Sequence, residues 1–184
     1  MKVSLIMPTI NVTTELDLFL KSLKAQTYKN FELIVVDQNE GYDVFEIVKN
    51  YEEDFKIKYV RSDEKGLSLN RNRGLVLMEG EIAGFPDDDC EYQPDTLEKV
   101  ISFFKRKKNY QIYSCRTLER GKTYGTGVME KRDMDIKKDC VDTTVKSITF
   151  FVNYGKDDII LFDENLGVGA TFGSGEETDY VLTL

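Results

Sequence analysis

Histidine is absent from the 184-residue sequence. That absence removes every Ser-His or Cys-His nucleophile, every His-ligated zinc or haem site, and the usual proton shuttle at neutral pH. Acid–base chemistry therefore falls to carboxylates. Cysteine is scarce and odd in number: Cys90, Cys115 and Cys140 lie about 25 residues apart, without the close pairing of a zinc or redox motif, so reduced thiols are expected. Long apolar runs are missing too; none approaches the roughly 18 residues needed to span a bilayer. Neither end carries a basic, apolar, small-residue signal pattern, and the expected location is cytoplasmic. Positive charge is in deficit, with 25 Lys+Arg against 33 Asp+Glu and a net charge of −8, which argues against nucleic acid as a partner. What is present suits a folded chain: 41% hydrophobic and 32% charged residues can bury the core of a single soluble domain.

Two nearly continuous apolar runs, Lys2 to Met7 and Phe31 to Val36, read as strands buried on both faces of a parallel sheet. Between them Leu16, Phe19, Leu20 and Leu23 recur at helical spacing behind Thr13 and Thr14, either of which can cap the helix. Asp43 with Glu46 makes a capping-box-like start for a helix with Val44, Ile47, Val48 and Tyr51 on its apolar face, and Ile57 to Val60 follows as a strand. Ser68 is the expected cap of a helix running to about Met78, and Glu81 to Phe85 the next strand, stopped by Pro86. Pro94 is placed at the first turn of a helix with the stripe Leu97, Val100, Ile101 and Phe104 and the basic end Lys105 to Lys108. Gln111 to Arg116 and Ser147 to Val152 read as further strands, with no clear period between them. Such alternation predicts an α/β fold: a mostly parallel, Rossmann-like central sheet flanked by helices, in a single domain.

Ligands of open α/β sheets bind beyond the carboxyl ends of the strands. Asp87, Asp88 and Asp89 follow the fourth strand at such an edge. In extended backbone Asp87 and Asp89 point together while Asp88 points away. Two converging carboxylates repel unless a cation or proton intervenes. With no histidine to contribute, an all-oxygen set suits Mg²⁺ or Mn²⁺. A solvated acidic loop is the plain alternative. A calcium loop is a second one, since Asp87, Asp89, Glu91 and Glu98 match positions 1, 3, 5 and 12 of the EF-hand spacing. Tyr92 in place of the required glycine, Pro94 inside the loop and a strand in front of it count against that reading.

The segments VSLIMPTIN (3–11), SLKAQTYKNFELIVVDQN (22–39), GLSLNRNRGL (66–75), GEIAGFPDDDCEYQPDTL (80–97) and FGSGEETDYVL (172–182) together resemble the family 2 inverting glycosyltransferases, whose fold is GT-A. The resemblance implies a nucleotide-sugar donor, lined by Thr9, Asn11, Asp37 and Arg71, with the Asp on the base. It implies that Asp87, Asp88 and Asp89 are the DxD element, Asp87 and Asp88 facing the nucleotide and Asp89, with Asp87, the metal. It places Glu177 at the catalytic base, with Glu176 and Asp179 as the other candidates. Residues 1–110 then form the nucleotide-sugar-binding half, ending with the DxD region, and 111–184 the acceptor-side half. Family members continue beyond the equivalent of Leu184, so that half is expected to be cut short. Four positions depart from the pattern: Ile10 stands for the common Tyr, Gln38 and Asn39 for an acidic–glycine pair, and Glu177 for Asp.

Inverting transfer suits such a residue set. A carboxylate takes the proton of an acceptor hydroxyl on one face of the sugar while the nucleoside diphosphate leaves from the other. A metal on the diphosphate stabilises the leaving charge without a proton donor. The expected product is a polysaccharide or glycolipid, on a saccharide or lipid-linked acceptor. Taken alone, Glu176 and Glu177 also read as helix-start decoration, Arg71 as a surface helix cation and Asp37 as a turn residue. A weaker expectation is that Lys105 to Lys108 rest on anionic headgroups at the inner face of a membrane. Two other functions fit less of the sequence. A sugar nucleotidyltransferase needs a glycine- and lysine-bearing phosphate loop after the first strand, and MPTINVTTE has neither. A nucleotide-binding module of the same fold without turnover is the other.

Overall fold

β1 (Val3–Thr9) and β2 (Phe31–Asp37) are buried at every position, as strands covered on both faces must be. The computed structural model describes residues 1–11, 14–119, 133–155 and 159–184. The other elements are α1 (Glu15–Lys24), α2 (Asp43–Val48), β3 (Lys56–Arg61), α3 (Leu67–Val76), β4 (Ile82–Gly84), α4 (Thr96–Arg106), β5 (Ile112–Ser114), α5 (Val141–Thr144), β6 (Phe150–Asn153) and α6 (Glu176–Thr183). One six-stranded sheet runs in the order β3-β2-β1-β4-β6-β5. β1 to β4 are mutually parallel, β6 runs antiparallel to β4, and β5 antiparallel to β6. The mostly parallel α/β sheet read from the sequence is therefore the observed one.

Register decides what the sheet presents at its carboxyl edge. Val3 pairs with Phe31 and Thr9 with Asp37, so β1 and β2 end level and set those two side chains side by side. Gly84 closes β4 opposite Leu5, and the chain runs on from there to the acidic triplet. On one face Leu16, Phe19, Leu20 and Leu23 of α1 and Leu97, Val100, Ile101 and Phe104 of α4 meet Leu5, Leu33 and Val35. On the other, Leu75, Phe85, Phe150, Phe162, Tyr180 and Val181 pack with Ile6, Ile34 and Val36. α3 lies close against β1: a Cβ added at Gly74 would sit 2.4 Å from Ile6 Cγ2.

Helix starts depart from the sequence expectations. Thr14 occupies the N-cap position of α1 without a capping hydrogen bond, while Thr13 lies outside the described residues. Tyr42, not Asp43, precedes α2, and no Asp43–Glu46 box forms. α3 begins behind Gly66, whose φ of 143° suits glycine, and the Ser68 hydroxyl instead donates to Leu166 O at 2.6 Å. Asp95, not Pro94, precedes α4; the Pro94 carbonyl accepts Thr27 N–H at 2.8 Å. Distant partners take the groups that local rules assign to caps. Ser147–Thr149 is a 3₁₀ turn, so β6 starts at Phe150. The three cysteines are unpaired thiols.

The opposite edge of the sheet holds a buried carboxylate. Glu32 accepts from Ser4 Oγ at 2.7 Å, from the N–H of Glu79 at 2.8 Å and from Lys2 Nζ at 3.0 Å, with Lys58 Nζ at 3.3 Å. Burial pushes its pKa up, but those donors outweigh it and hold the group below the ordinary value of 4.5. A depressed folded pKa gives stability that is present above that value and lost as pH falls through the folded one. Glu32→Ala is therefore expected to cost about 3 kcal/mol at pH 7, because it leaves the Ser4 hydroxyl and the Glu79 N–H without their acceptor and takes from Lys2 and Lys58 one of the two carboxylates they face. Urea midpoints measured at pH 7 and pH 3 should show the deficit shrinking in acid; a deficit independent of pH would contradict the ionised network.

Candidate active site

The loops after β1 and β2 are fastened to each other. Gln38 N–H donates to Thr9 O at 3.0 Å, and Asn11 N–H to Asn39 Oδ1 at 2.7 Å, with Asn11 held at φ 58°. Asp37 is fully buried; its Oδ1 accepts from the backbone and side-chain nitrogens of Asn39 at 2.9 and 2.7 Å, and its Oδ2 from the Tyr59 hydroxyl. Burial first, then Asp37, pushes Tyr59 up to about 12, so that hydroxyl stays a donor. Gln38 Oε1 accepts the N–H of Gly66 at 3.0 Å and so ties this corner to the start of α3. The two departures from the family pattern, Gln38 and Asn39, are thus the fasteners of the loop. Thr9 and Asp37 are both engaged; Asn11 is exposed beside them.

Past β4 the backbone does not stay extended. Cys90 N–H donates to Asp87 O at 3.4 Å, which makes Asp87 to Cys90 a turn; strand alternation therefore does not set how these side chains point, and Asp89 still lies close enough to Asp87 to raise its pKa. The Asp88 carboxylate accepts from the Thr9 hydroxyl. Asp87 faces the other way, towards Ser147 Oγ at 3.4 Å and Arg71 Nη2 at 3.7 Å. Asp89 is exposed, with no hydrogen bond or ion pair among the described residues. Loss of water around its carboxylate pushes Asp87 up to about 6; Arg71 opposes the rise, and Asp89, Glu177 and Asp88 add to it. Burial likewise raises Asp88, against the Thr9 hydrogen bond. Two of the three carboxylates are therefore built into the fold, which the solvated-loop reading does not allow, and the strand in front of them rules out an EF-hand.

Among the described residues no three such side chains converge as a complete metal cage. The donor set nevertheless fits a small hard cation, since Mg²⁺ sites commonly take one or two carboxylates and complete their shell with water and phosphate oxygens. Asp89 is open to solvent, and a divalent cation beside it would relieve the repulsion that raises Asp87.

Arg71 joins this corner to α6. α3 turns polar groups inwards, burying Ser68, Asn70, Arg71 and Asn72 with Gly74 and Leu75. The Arg71 side chain is 1% exposed, which overturns the surface-cation reading. Its guanidinium lies 5.3 Å over the Phe162 ring. Nη2 is 3.7 Å from Asp87, and Nη1 is 3.6 Å from Glu176 and 3.9 Å from Glu177. Nε and Nη1 have no hydrogen-bond partner. One cation thus sits at ion-pair range from three carboxylates with donors to spare.

Gly175, at φ 97°, turns the chain into α6 and delivers Glu176 and Glu177 to its first turn. Glu176 is buried; burial first, then repulsion from Glu177 and a hydrogen bond with it, raises its pKa and favours the neutral acid. Glu177 keeps a quarter of its side chain exposed, at 24%, and is the member of the pair that a substrate can reach. Asp179 is exposed on the outer side of α6 with no ion pair to Arg71 among the described residues, so the structure does not bring this candidate to the group. Asn72 went unread in the sequence: its amide clamps Phe162 through N–H···O bonds of 3.0 and 2.8 Å. So did Ser147 and Tyr59, which approach only through the fold.

The Glycosyl transferase family 2 model matches residues 4–165. Glycosyltransferase GlyA of Streptococcus pneumoniae is 36% identical over 111 residues, 60% of this chain and 16% of that protein. The GalNAc(5)-diNAcBac-PP-undecaprenol beta-1,3-glucosyltransferase of Campylobacter jejuni is 31% identical over 144 residues, 75% of this chain and 47% of that protein. The solved structure of S. aureus TarS 1-349 superposes with a TM-score of 0.82 at 23% identity, covering 99% of this chain and 54% of that one; the same protein has been solved in complex with UDP-GlcNAc. The chain spans less than half the length of these two curated relatives. The fold is GT-A, and with the family match running over most of its length the chain belongs to glycosyl transferase family 2.

Proposed function

We propose that the protein is a metal-dependent inverting glycosyltransferase. It moves a sugar from a UDP-sugar to a hydroxyl of a saccharide or lipid-linked acceptor, in polysaccharide or glycolipid assembly. One observation carries the reading: the buried Arg71 guanidinium holds Asp87 of the acidic corner and Glu176 and Glu177 of α6 within 3.6–3.9 Å of a single group. A donor-binding corner and a base are thereby held next to each other. The names of the relatives support the substrate class, since one is a glucosyltransferase on an undecaprenol-linked glycan and TarS has been solved with UDP-GlcNAc.

Thr9, Asn11 and Asp37 line the nucleotide, and Asp87 and Asp88 its ribose and diphosphate. Asp89, with Asp87, would hold Mn²⁺ or Mg²⁺, which would supply Lewis-acid stabilisation to the leaving diphosphate. Glu177 takes the proton from the acceptor hydroxyl as its oxygen bonds to the anomeric carbon. The electrons of the breaking glycosyl–phosphate bond leave with the diphosphate oxygen on the opposite face. Glu176, buried beside Glu177 and 3.6 Å from the Arg71 guanidinium, keeps it aimed. No helix among the described residues is long and apolar enough to cross a membrane; a peripheral contact through Lys105 to Lys108 belongs to the same proposal, supported by the exposed basic end of α4.

Thermal shift with UDP-GlcNAc, with and without Mn²⁺, tests the donor side. Ligand linkage gives roughly 2.7 kcal/mol of stabilisation at a hundredfold excess over Kd. Asp89→Ala should remove the Mn²⁺-dependent part and leave the rest. An unchanged shift in that variant would take Asp89 out of the metal role, and binding without UDP release on adding acceptor would favour a nucleotide-binding module.

A further inference from the structure

α6 has eight residues, and a helix that short has too few internal bonds to hold itself; what it packs on sets its position. It buries Glu176, Tyr180 and Val181, so Tyr180 is the large apolar body that seats it. Residues four apart share a helix face, which puts Tyr180 on the face of Glu176, with Glu177 about 100° further round. The Tyr180 ring has little freedom. It lies flat on Phe162, with centroids 3.8 Å apart and planes 6° from parallel, and Phe85 meets the two rings edge-on, at 5.7 Å from Tyr180 and 5.1 Å from Phe162. Its hydroxyl donates to Ile160 O at 3.1 Å and shares a hydrogen bond with the Tyr154 hydroxyl, which lies 3.4 Å from the same carbonyl. Tyr180 makes the closer bond to Ile160, so Tyr154 donates to Tyr180. Packing alone needs only a phenylalanine here. A hydroxyl buried this deeply, with Tyr180 1% and Tyr154 2% exposed, must find partners, and those partners stop the ring from sliding on its neighbours.

The rings that hold Tyr180 belong to the other two parts of the site. Phe85 stands two residues before Asp87. Phe162, its backbone clamped by Asn72 of α3, lies 5.3 Å from the Arg71 guanidinium above it. We propose that Tyr180 is the positioning residue of the base: its stacked ring and bonded hydroxyl set the rotation of α6, and thereby where Glu177 stands relative to Arg71 and Asp87. The proposal rests on the transferase reading above. Buried under the helix, Tyr180 touches no substrate and acts through Glu177. Arg71 Nη1 is 3.6 Å from Glu176 and 3.9 Å from Glu177, so a small rotation of α6 alters the standing of both carboxylates at the cation. A misplacement of about 1 Å can cost a reaction about a hundredfold.

Tyr180→Phe and Tyr154→Phe each delete one hydroxyl of the pair and keep every ring, so both are expected to fold and to lose a similar amount of thermal stability. Only the first changes α6. With UDP-GlcNAc, Mn²⁺ and water as the acceptor, Tyr180→Phe should release UDP about tenfold more slowly through kcat, with KM for UDP-GlcNAc as in the parent. Tyr154→Phe, in which the Tyr180 bond to Ile160 O persists, should keep the parent kcat. Parent kcat in Tyr180→Phe, a change confined to KM, or an equal loss of kcat in both variants would overturn the proposal and leave the transferase reading standing, because the hydroxyl would then serve stability alone. A parent protein that releases no UDP and that UDP-GlcNAc does not stabilise would remove the transferase reading, and with it the base that Tyr180 positions.

Discussion

Glu177→Gln should bind UDP-GlcNAc as tightly as the parent and transfer sugar roughly 10²–10⁴-fold more slowly, the range that a positioned general base contributes. The reason is geometric. Glu177 is partly exposed, 3.9 Å from Arg71 and on the first turn of α6, so an isosteric amide perturbs neither core nor donor corner and removes only the proton acceptor. Glu176→Gln supplies the contrast. Burial and Glu177 already favour the protonated acid at Glu176, and an amide is a fair copy of that state, so most transfer should survive it, whereas Glu176→Ala leaves Glu177 unsupported and should not. Initial rates of UDP release for the three variants, beside UDP affinities, check the assignment. If Glu176→Gln were the inactive one and Glu177→Gln the active one, the base would be Glu176.

That pair shows where the sequence was legible and where it was not. β1 and β2 announce themselves as unbroken apolar runs because a buried parallel strand needs apolar residues on both faces, and their equal lengths put Thr9 level with Asp37. Residues at the carboxyl edge could therefore be named from the fold class. Orientation could not. The Asp87 to Cys90 turn sends Asp88 to Thr9 and Asp87 to Arg71, a choice made by groups some 80 and 16 residues earlier in the chain. The burial of Arg71 was hidden for a related reason: α3 has no apolar stripe, and the inward side chains of Ser68 and Asn72 are satisfied by Phe162, Glu164 and Leu166, which arrive 90 to 98 residues later. Family resemblance could mark Arg71, Glu177 and the acidic triplet as positions, but only the packing of α3 against the loop before α6 places Asp87, Glu176 and Glu177 around one guanidinium. Asp179 illustrates the limit, since it shares a helix turn with Glu176 and Glu177 and faces solvent.

Arg71→Met should be the most destabilising of these substitutions. The side chain is fully buried, so methionine can fill most of its volume over Phe162, and the loss is mainly electrostatic. Two opposing effects must be weighed. Burying a cation with Nε and Nη1 unpaired is itself unfavourable, and its removal returns that cost; but the three carboxylates it faces remain, and stranding a buried partner typically costs 3–5 kcal/mol, about a third of a domain's whole stability. Asp87, whose side chain is 43% exposed, is screened by water and contributes little of this. Glu176, with its side chain 6% exposed, carries most of it wherever it is ionised, which its raised pKa confines to pH above that value. The pH dependence follows from the same charges. Without the guanidinium the Glu176 pKa rises further above 4.5, the folded state then holds protons that the unfolded state has released, and stability falls as pH rises from 4.5 through the raised value. The deficit should accordingly be larger at pH 8 than at pH 4.5 in urea titrations. Arg71→Met/Glu176→Gln should recover a good part of it, with a coupling energy of about 1–3 kcal/mol between adjacent groups. Strict additivity of the two substitutions, or a deficit that ignores pH, would mean that Arg71 is held by packing alone and that the ion-pair distances around it carry no energy.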